Sequence, residues 1–212
     1  MNVLLLGASG RIGQRTAAEL LSRGHAVTGV SRSGTVEGID DDEFVAVAGD
    51  ATDPDDVARL AAGHDAVVSA LGPGEDEPAE VLTEMIDAVI EGLRRAAVDR
   101  LVWTGGAGGL RVGPETLLIE TDDFPEEWVP VARAAIDAYD RLSEVEDIEW
   151  TYVAPAALIE PGERTGEYRT ADRELVADDD GDSYISMEDF AIALVDELEE
   201  ANAVYTYLGT GY

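Results

Sequence analysis

The sequence predicts an α/β fold, a doubly wound parallel sheet forming one domain over residues 1–212. Three observations predict it. Short apolar runs alternate with stretches of helical spacing along the whole chain, the pattern of a parallel sheet covered on both faces. The first apolar run ends in a glycine-rich turn that opens a helix, Gly7-Ala8-Ser9-Gly10-Arg11-Ile12-Gly13. A length of 212 residues suits one such domain with a substantial core, and no repeat or low-complexity linker divides it.

The elements follow in order. Residues 3–6 make the first strand. Ile12, Ala17, Leu20 and Leu21 then share one helical face, and Gly24 is placed to end that helix. Residues 26–31 form the second strand, 33–43 a Gly- and Asp-rich connection, and 44–48 the third strand. Asp53-Pro54 opens a short helix through residue 62, with Pro54 suited to its first turn and Thr52 or Asp53 as its cap. Residues 66–70 are the fourth strand, 78–97 a long helix and 100–104 the fifth strand. A long excursion over 105–128 precedes a helix running to about residue 145. Residues 150–154 make the sixth strand, 186–200 the last helix and 204–208 a final strand. Right-handed crossovers then set the order 3-2-1-4-5-6 with the final strand at the edge, a Rossmann-like arrangement. Ligands of such sheets sit beyond the carboxyl ends of the strands, near the switch between the first and fourth.

The glycine turn has the strand–turn–helix setting that its chemistry requires. Gly7 permits the reversal, Gly10 lets the backbone approach a phosphate, and Gly13 lets the helix pack close to the strand. The free amides and positive dipole end of that helix favour an anion, here the pyrophosphate of a dinucleotide. Gly7, Ala8, Ser9, Gly10, Arg11, Ile12 and Gly13 are therefore candidate cofactor-binding residues. The plainer alternative is a strand–turn–helix without a ligand.

The residues after the other strands extend the site. A carboxylate after the second strand would bind the ribose hydroxyls of NAD, whereas an Arg accommodates the 2′-phosphate of NADP. Arg32 stands there, and the next acid, Glu37, lies beyond Gly34, so NADPH is expected over NADH. The alternative is that Arg32 only offsets neighbouring acids. Asp50 after the third strand is placed to accept from an adenine amino group, and Ala51 offers backbone contacts. Leu71 and Gly72 follow the fourth strand among small residues that let a cofactor lie against the backbone. Thr104 and Gly105 end the fifth strand at the expected nicotinamide position.

Composition narrows the function classes. The 46 Asp and Glu against 14 Lys and Arg give a net charge of −32, and all 14 cations are Arg. With 45% hydrophobic residues and regular patterning throughout, disorder does not explain that charge. Such a surface repels itself in dilute solution and is screened by concentrated salt, so the chain resembles proteins of the salt-accumulating cytoplasm of halophilic archaea. The same charge argues against nucleic acid or an anionic membrane as partner. Cysteine is absent, which excludes disulfides, thiol catalysis and cysteine–zinc sites. No apolar run approaches the ~20 residues that span a bilayer. With the motif starting at the second residue, no signal peptide is expected, and the expected location is the cytoplasm.

Several stretches together carry a family resemblance. They are Gly7 to Gly13, Gly49-Asp50-Ala51-Thr52-Asp53, Trp103 to Gly108, Trp150 to Ile159, Pro161-Gly162-Glu163-Arg164-Thr165-Gly166 and Ile185 to Ala191. In that order they resemble the atypical short-chain dehydrogenase/reductases of the NAD(P)H-binding, NmrA-like group, above all its flavin-reductase-like and biliverdin reductase B-like branch. The resemblance covers nearly the whole chain, and the stretch from Pro155 to Gly166 is its most diagnostic part. It implies Thr104 as the hydroxyl that holds the nicotinamide, the candidate catalytic residue, and adds Pro155 to the cofactor-binding set. Biliverdin reductase B types carry a His just after the sixth strand, where Ala157 stands here, which argues against tetrapyrrole reduction.

The expected activity is NAD(P)H-dependent transfer of hydride to a flavin, quinone or similar planar acceptor, which needs mainly proximity and orientation. The Tyr-x-x-x-Lys pair of better-known short-chain dehydrogenases has no counterpart, because Tyr139 is followed four residues on by Ser143. Tyr139 reads as an ordinary helix-face residue, and the missing pair also disfavours an epimerase-like activity. The rival reading is a non-catalytic, NAD(P)-sensing regulatory protein of NmrA-like type. Leu110, Leu117, Leu118, Phe124 and Trp128 form either an apolar lid or the filling beneath a long loop. Asp178, Asp180, Asp182, Tyr184, Ser186 and Asp189 follow the spacing of a calcium loop, but Ser183 replaces its glycine, so a solvated acidic turn is expected and no metal site is assigned. His25 and His64 read as surface turn residues.

Overall fold

The computed structural model describes residues 1–74 and 76–212. Its strands are β1 (Asn2–Leu6), β2 (Ala26–Ser31), β3 (Phe44–Ala48), β4 (Ala66–Ser69), β5 (Arg100–Thr104), β6 (Glu149–Ala154), β7 (Leu158–Glu160), β8 (Arg169–Asp172), β9 (Tyr184–Ser186) and β10 (Thr206–Gly211). The helices are α1 (Arg11–Ser22), α2 (Pro54–Ala61), α3 (Val81–Ala96), α4 (Val129–Ser143) and α5 (Met187–Glu200). Eight strands form one sheet in the order β3-β2-β1-β4-β5-β6-β10-β8, parallel except for β8. The doubly wound α/β architecture is thus as the sequence predicts.

Two apolar layers sandwich the sheet because successive strand residues point to opposite faces. Leu4, Leu6, Val67, Leu101 and Trp103 face α2, α3 and α4, where they meet Val57, Ile86 and Leu142. Val3, Leu5, Val68 and Val102 face α1 and α5, where they meet Leu20, Phe190 and Leu194. Local chemistry fixes the helix ends. Asp53 caps α2 by accepting the Asp55 amide at 2.9 Å, with Pro54 as its first residue. Ser186 caps α5 through the Asp189 amide at 3.0 Å. Gly24, just beyond α1, has φ +80°, the left-handed conformation that ends helices without penalty to glycine.

Several expectations need correction. The final strand is not at the edge: β10 lies between β6 and the antiparallel β8, whose sequence Arg-Thr-Ala-Asp carries no apolar signal. β10 also starts later than expected, because Tyr205 sits at φ +59° in the preceding turn. It runs on through Gly209 and Gly211, where a Cβ would meet the Glu174 carbonyl oxygen at 2.2 Å and the Val176 side chain at 3.0 Å. The three-residue strands β7 and β9 pair in parallel as a second small sheet, too short to leave a period in the sequence. α3 begins at Val81 rather than Pro78.

His25 is buried rather than a surface turn residue: its Nε2 lies 2.8 Å from Glu199 of α5, and the amino group of Met1 lies 3.3 Å from Nδ1. His64 is half-buried, with Nε2 2.8 Å from the Thr28 hydroxyl. Tyr139 packs in an aromatic cluster, its ring centroid 6.1, 5.4 and 4.7 Å from those of Trp150, Tyr152 and Tyr207. In the long excursion, Leu110 is fully buried in the core, whereas Trp128 is exposed and meets Phe124 edge-on. Leu117 and Leu118 are half-buried, so the segment combines core filling with a partly exposed rim.

Candidate functional site

A cleft of about 1050 Å³ opens at the carboxyl ends of β1 to β5, at the switch between β1 and β4. Its floor is the glycine turn. Gly7 has φ +78°, and a Cβ there would stand 2.5 Å from the Ala70 carbonyl oxygen. At Gly13 a Cβ would stand 2.1 Å from the Gly7 carbonyl oxygen, so only glycine lets α1 come this close to the turn. The amides of Gly7 and Ala8 both donate to the Val30 carbonyl, at 3.1 and 3.0 Å, and the Gly10 amide donates to the Gly7 carbonyl at 3.0 Å. The first turn of α1 is different. Arg11, Ile12 and Gly13 have no intrahelical acceptor for their amides, and no side chain caps the helix. Gly10, Arg11 and Ile12 line the cleft, so this positive helix end faces its interior.

At the outer end, Arg32 projects from the end of β2, its side chain 72% exposed, with Nη1 donating to Glu77 Oε1 at 2.7 Å. Glu77 Oε2 accepts the Gly74 amide at 2.7 Å, so one carboxylate joins the loops after β2 and β4. Asp50 and Ala51 also line the cleft. The Asp50 carboxylate accepts the Thr52 amide and hydroxyl at 2.9 and 2.7 Å on Oδ1. Asp56 accepts the Asp50 amide at 2.8 Å, which with the Arg59 guanidinium holds the Asp56 carboxyl below its usual range.

The inner end is apolar. Ile12, Leu71, Met85 and Met187 line it, and Thr104 enters from the end of β5. The Thr104 hydroxyl is buried without a hydrogen-bond partner among the described residues. An unpaired buried hydroxyl costs about 1–3 kcal/mol unless something supplies its partner. A glycine cradle beneath an uncapped helix end, continuous with an unmatched hydroxyl, fits a ligand that is anionic in the middle and polar at its inner tip.

The structure gathers Gly7, Ser9, Gly10, Arg11, Ile12, Arg32, Asp50, Ala51, Leu71, Gly72 and Thr104 around this cleft. Four expected residues do not line it. Ala8 is fully buried with its amide used by Val30. Gly13 lies behind the turn, against the Gly7 carbonyl. Gly105 abuts the Tyr152 ring, where a Cβ would stand 2.0 Å from Cε1. Pro155 is buried beyond β6. Sequence reasoning missed Glu77, Glu84, Met85 and Met187, all of which line the cleft. Met187 opens α5, and only the fold brings that helix start to the cleft that Thr104 also lines.

No Tyr or His lines the cleft among the described residues. The Tyr152 phenol donates to the Ala135 carbonyl at 2.7 Å, and burial, reinforced by nearby Tyr207, pushes it well above its usual range. It is not available as an acid to a bound molecule. The loop over residues 161–166, beside the start of α5, is held firmly by two anchors. Arg164 grips Glu19 of α1 through two bonds of 2.9 Å. Asp189 of α5, fully buried, accepts the amides of Thr165 and Gly166 at 2.9 Å and the Tyr212 phenol at 2.6 Å.

Residues 7–201 match the family model described as NAD(P)H-binding. The chain belongs to this NAD(P)H-binding family. Among solved structures it is similar to a candidate exported protein from Burkholderia pseudomallei, at 44% identity over 100% of both chains and a TM-score of 0.91. It is also similar to a candidate epimerase from Bacteroides thetaiotaomicron, at 34% identity over 100% of this chain and 96% of that one, TM-score 0.92. A candidate NADH-flavin reductase from Streptococcus pneumoniae matches at 32% identity over 100% of this chain and 99% of that one, TM-score 0.85. The chain therefore has the Rossmann-like fold of NAD(P)H-binding oxidoreductases. Among the described residues, no helix is long and apolar enough to cross a membrane.

Proposed function

We propose that this member of the NAD(P)H-binding family is a reductase that passes hydride from NADPH to a flavin, quinone or similar planar acceptor. The observation that carries the reading is the continuity of the cleft. It runs from the Arg32 guanidinium, past the uncapped start of α1, to the buried Thr104 hydroxyl. When bound, the reduced nicotinamide supplies the hydride. The chain's own residues supply the rest. The amides of Arg11 and Ile12 hold the diphosphate, and Gly7 and Gly13 permit the close approach. Arg11, which makes no ion pair among the described residues, adds a cation at the same place. Asp50 and Ala51 receive the adenine, Leu71 and Gly72 border the path, and the Thr104 hydroxyl orients the reactive end.

The apolar inner wall of Ile12, Met85 and Met187 excludes water and leaves a face for a flat acceptor. No protein acid is required, since a reduced flavin or quinone takes its proton from water. The similarity to the Streptococcus protein supports a flavin acceptor, and Arg32 supports NADPH over NADH. The cytoplasm, which maintains reduced nicotinamide nucleotides, is the compartment proposed. The absence of Tyr and His from the cleft among the described residues favours a second reading, a regulatory protein that binds NAD(P) without turnover. Steady-state NADPH oxidation with FMN or a quinone, in molar KCl, tests the choice. Turnover with either acceptor supports the reductase. Tight binding without turnover across an acceptor panel leaves the sensor.

A further inference from the structure

We propose that Glu77 is a cofactor-selecting residue of this cleft, a carboxylate that competes with the 2′-phosphate of NADPH for the Arg32 guanidinium. The proposal rests on the reading that the cleft holds a nicotinamide dinucleotide. Glu77 uses both oxygens to close the mouth: Oε1 takes Arg32 Nη1 and Oε2 takes the Gly74 amide, each at 2.7 Å. Gly74 leaves room for the two side-chain ends to meet over it. A Cβ there would lie 2.7 Å from Glu77 Oε2 and 3.3 Å from Arg32 Nη2. Arg32, Gly74 and Glu77 all line the cleft.

The charges decide how the clasp responds to each dinucleotide. The pair is exposed on its Arg32 side, so it is weak and readily exchanged. A phosphate dianion binds guanidinium in two-pronged fashion more strongly than a solvated carboxylate does. NADPH therefore opens the clasp, displacing Glu77 and leaving its negative charge near the phosphate. NADH has ribose hydroxyls that donate to a carboxylate, so Glu77 receives them with the clasp shut. Arg32 alone would give a strong preference for the phosphorylated cofactor, and Glu77 reduces it.

The test is Glu77→Gln, titrated with NADPH and with NADH by calorimetry beside the unmodified protein at one KCl concentration. Glutamine keeps an oxygen for the Gly74 amide but loses the charge, which separates selection from simple stapling of the loop. The expected result is NADPH binding about threefold to tenfold tighter, with NADH unchanged or weaker. Arg32→Gln is expected to move the preference the opposite way. Both dinucleotides binding the unmodified protein, with no gain for NADPH in E77Q, overturns this proposal alone. Neither binding the unmodified protein overturns the cofactor reading beneath it.

Discussion

The Cβ that Gly13 lacks would lie 2.1 Å from the carbonyl oxygen of Gly7, inside the contact distance of any real pair of atoms. This single approach fixes the distance between α1 and the turn, and so aims the helix's first amides into the cleft.

Gly13→Ala pits two effects against each other. Alanine gains up to about 1 kcal/mol in helix propensity. The clash is with backbone, which cannot swing aside as a side chain can, and overpacking of this kind costs about 1–3 kcal/mol or more. The clash wins. Urea unfolding is expected to show a net loss of about 1–2 kcal/mol, with dinucleotide affinity falling at least tenfold as α1 is pushed off the turn. A variant as stable as the parent and equally able to bind would show that the approach is unimportant.

Asp189 carries a pH signature. Burial acts to raise its carboxyl, but the Thr165 hydroxyl and the Tyr212 phenol, with backbone amides, outweigh that and hold it below the ordinary 3.8. A depressed carboxyl stabilises the fold above its unfolded value and loses that contribution as pH falls through its folded value. Asp189→Asn presents one acceptor where four donors converge, so a loss of about 2–3 kcal/mol is expected at pH 7. The gap between parent and variant should stay constant from about pH 7 to 5 and close below about pH 4. A gap independent of pH would contradict the assignment.

The net charge of −32 predicts a third behaviour. Screening shortens to about 3 Å at molar salt, which leaves near contacts such as Arg164–Glu19 while removing repulsion across the surface. The melting temperature is expected to rise between dilute and molar KCl. A flat or falling profile would remove the reason for expecting a salt-rich surrounding from the charge.

Much of the cleft is legible in the sequence because its floor is local. Gly7 to Gly13 are contiguous, and Arg32, Asp50, Leu71 and Thr104 each follow a recognisable apolar strand. What the sequence hides is brought in by topology or lacks a periodic signal. Met187 joins Thr104 in the lining of the cleft only because α5 returns across the sheet. Glu77 reaches Arg32 from a loop that carries no pattern. His25 reads as a turn residue until Glu199, at the far end of the chain, covers it. β8 is polar, so it does not resemble a strand before its neighbour is known, and the glycines of β10 hide how far that expected strand runs. Gly105 shows the converse error: its place in a glycine run suggests a cofactor contact, but its lack of a side chain serves the Tyr152 ring.

The most direct test of the central claim is calorimetric titration of NADPH and NADH into the unmodified protein in molar KCl. One dinucleotide per chain is expected to bind, and Thr104→Val should weaken it about fivefold or more by removing the hydroxyl at the inner end. No heat and no affinity with either dinucleotide would contradict the account at its root.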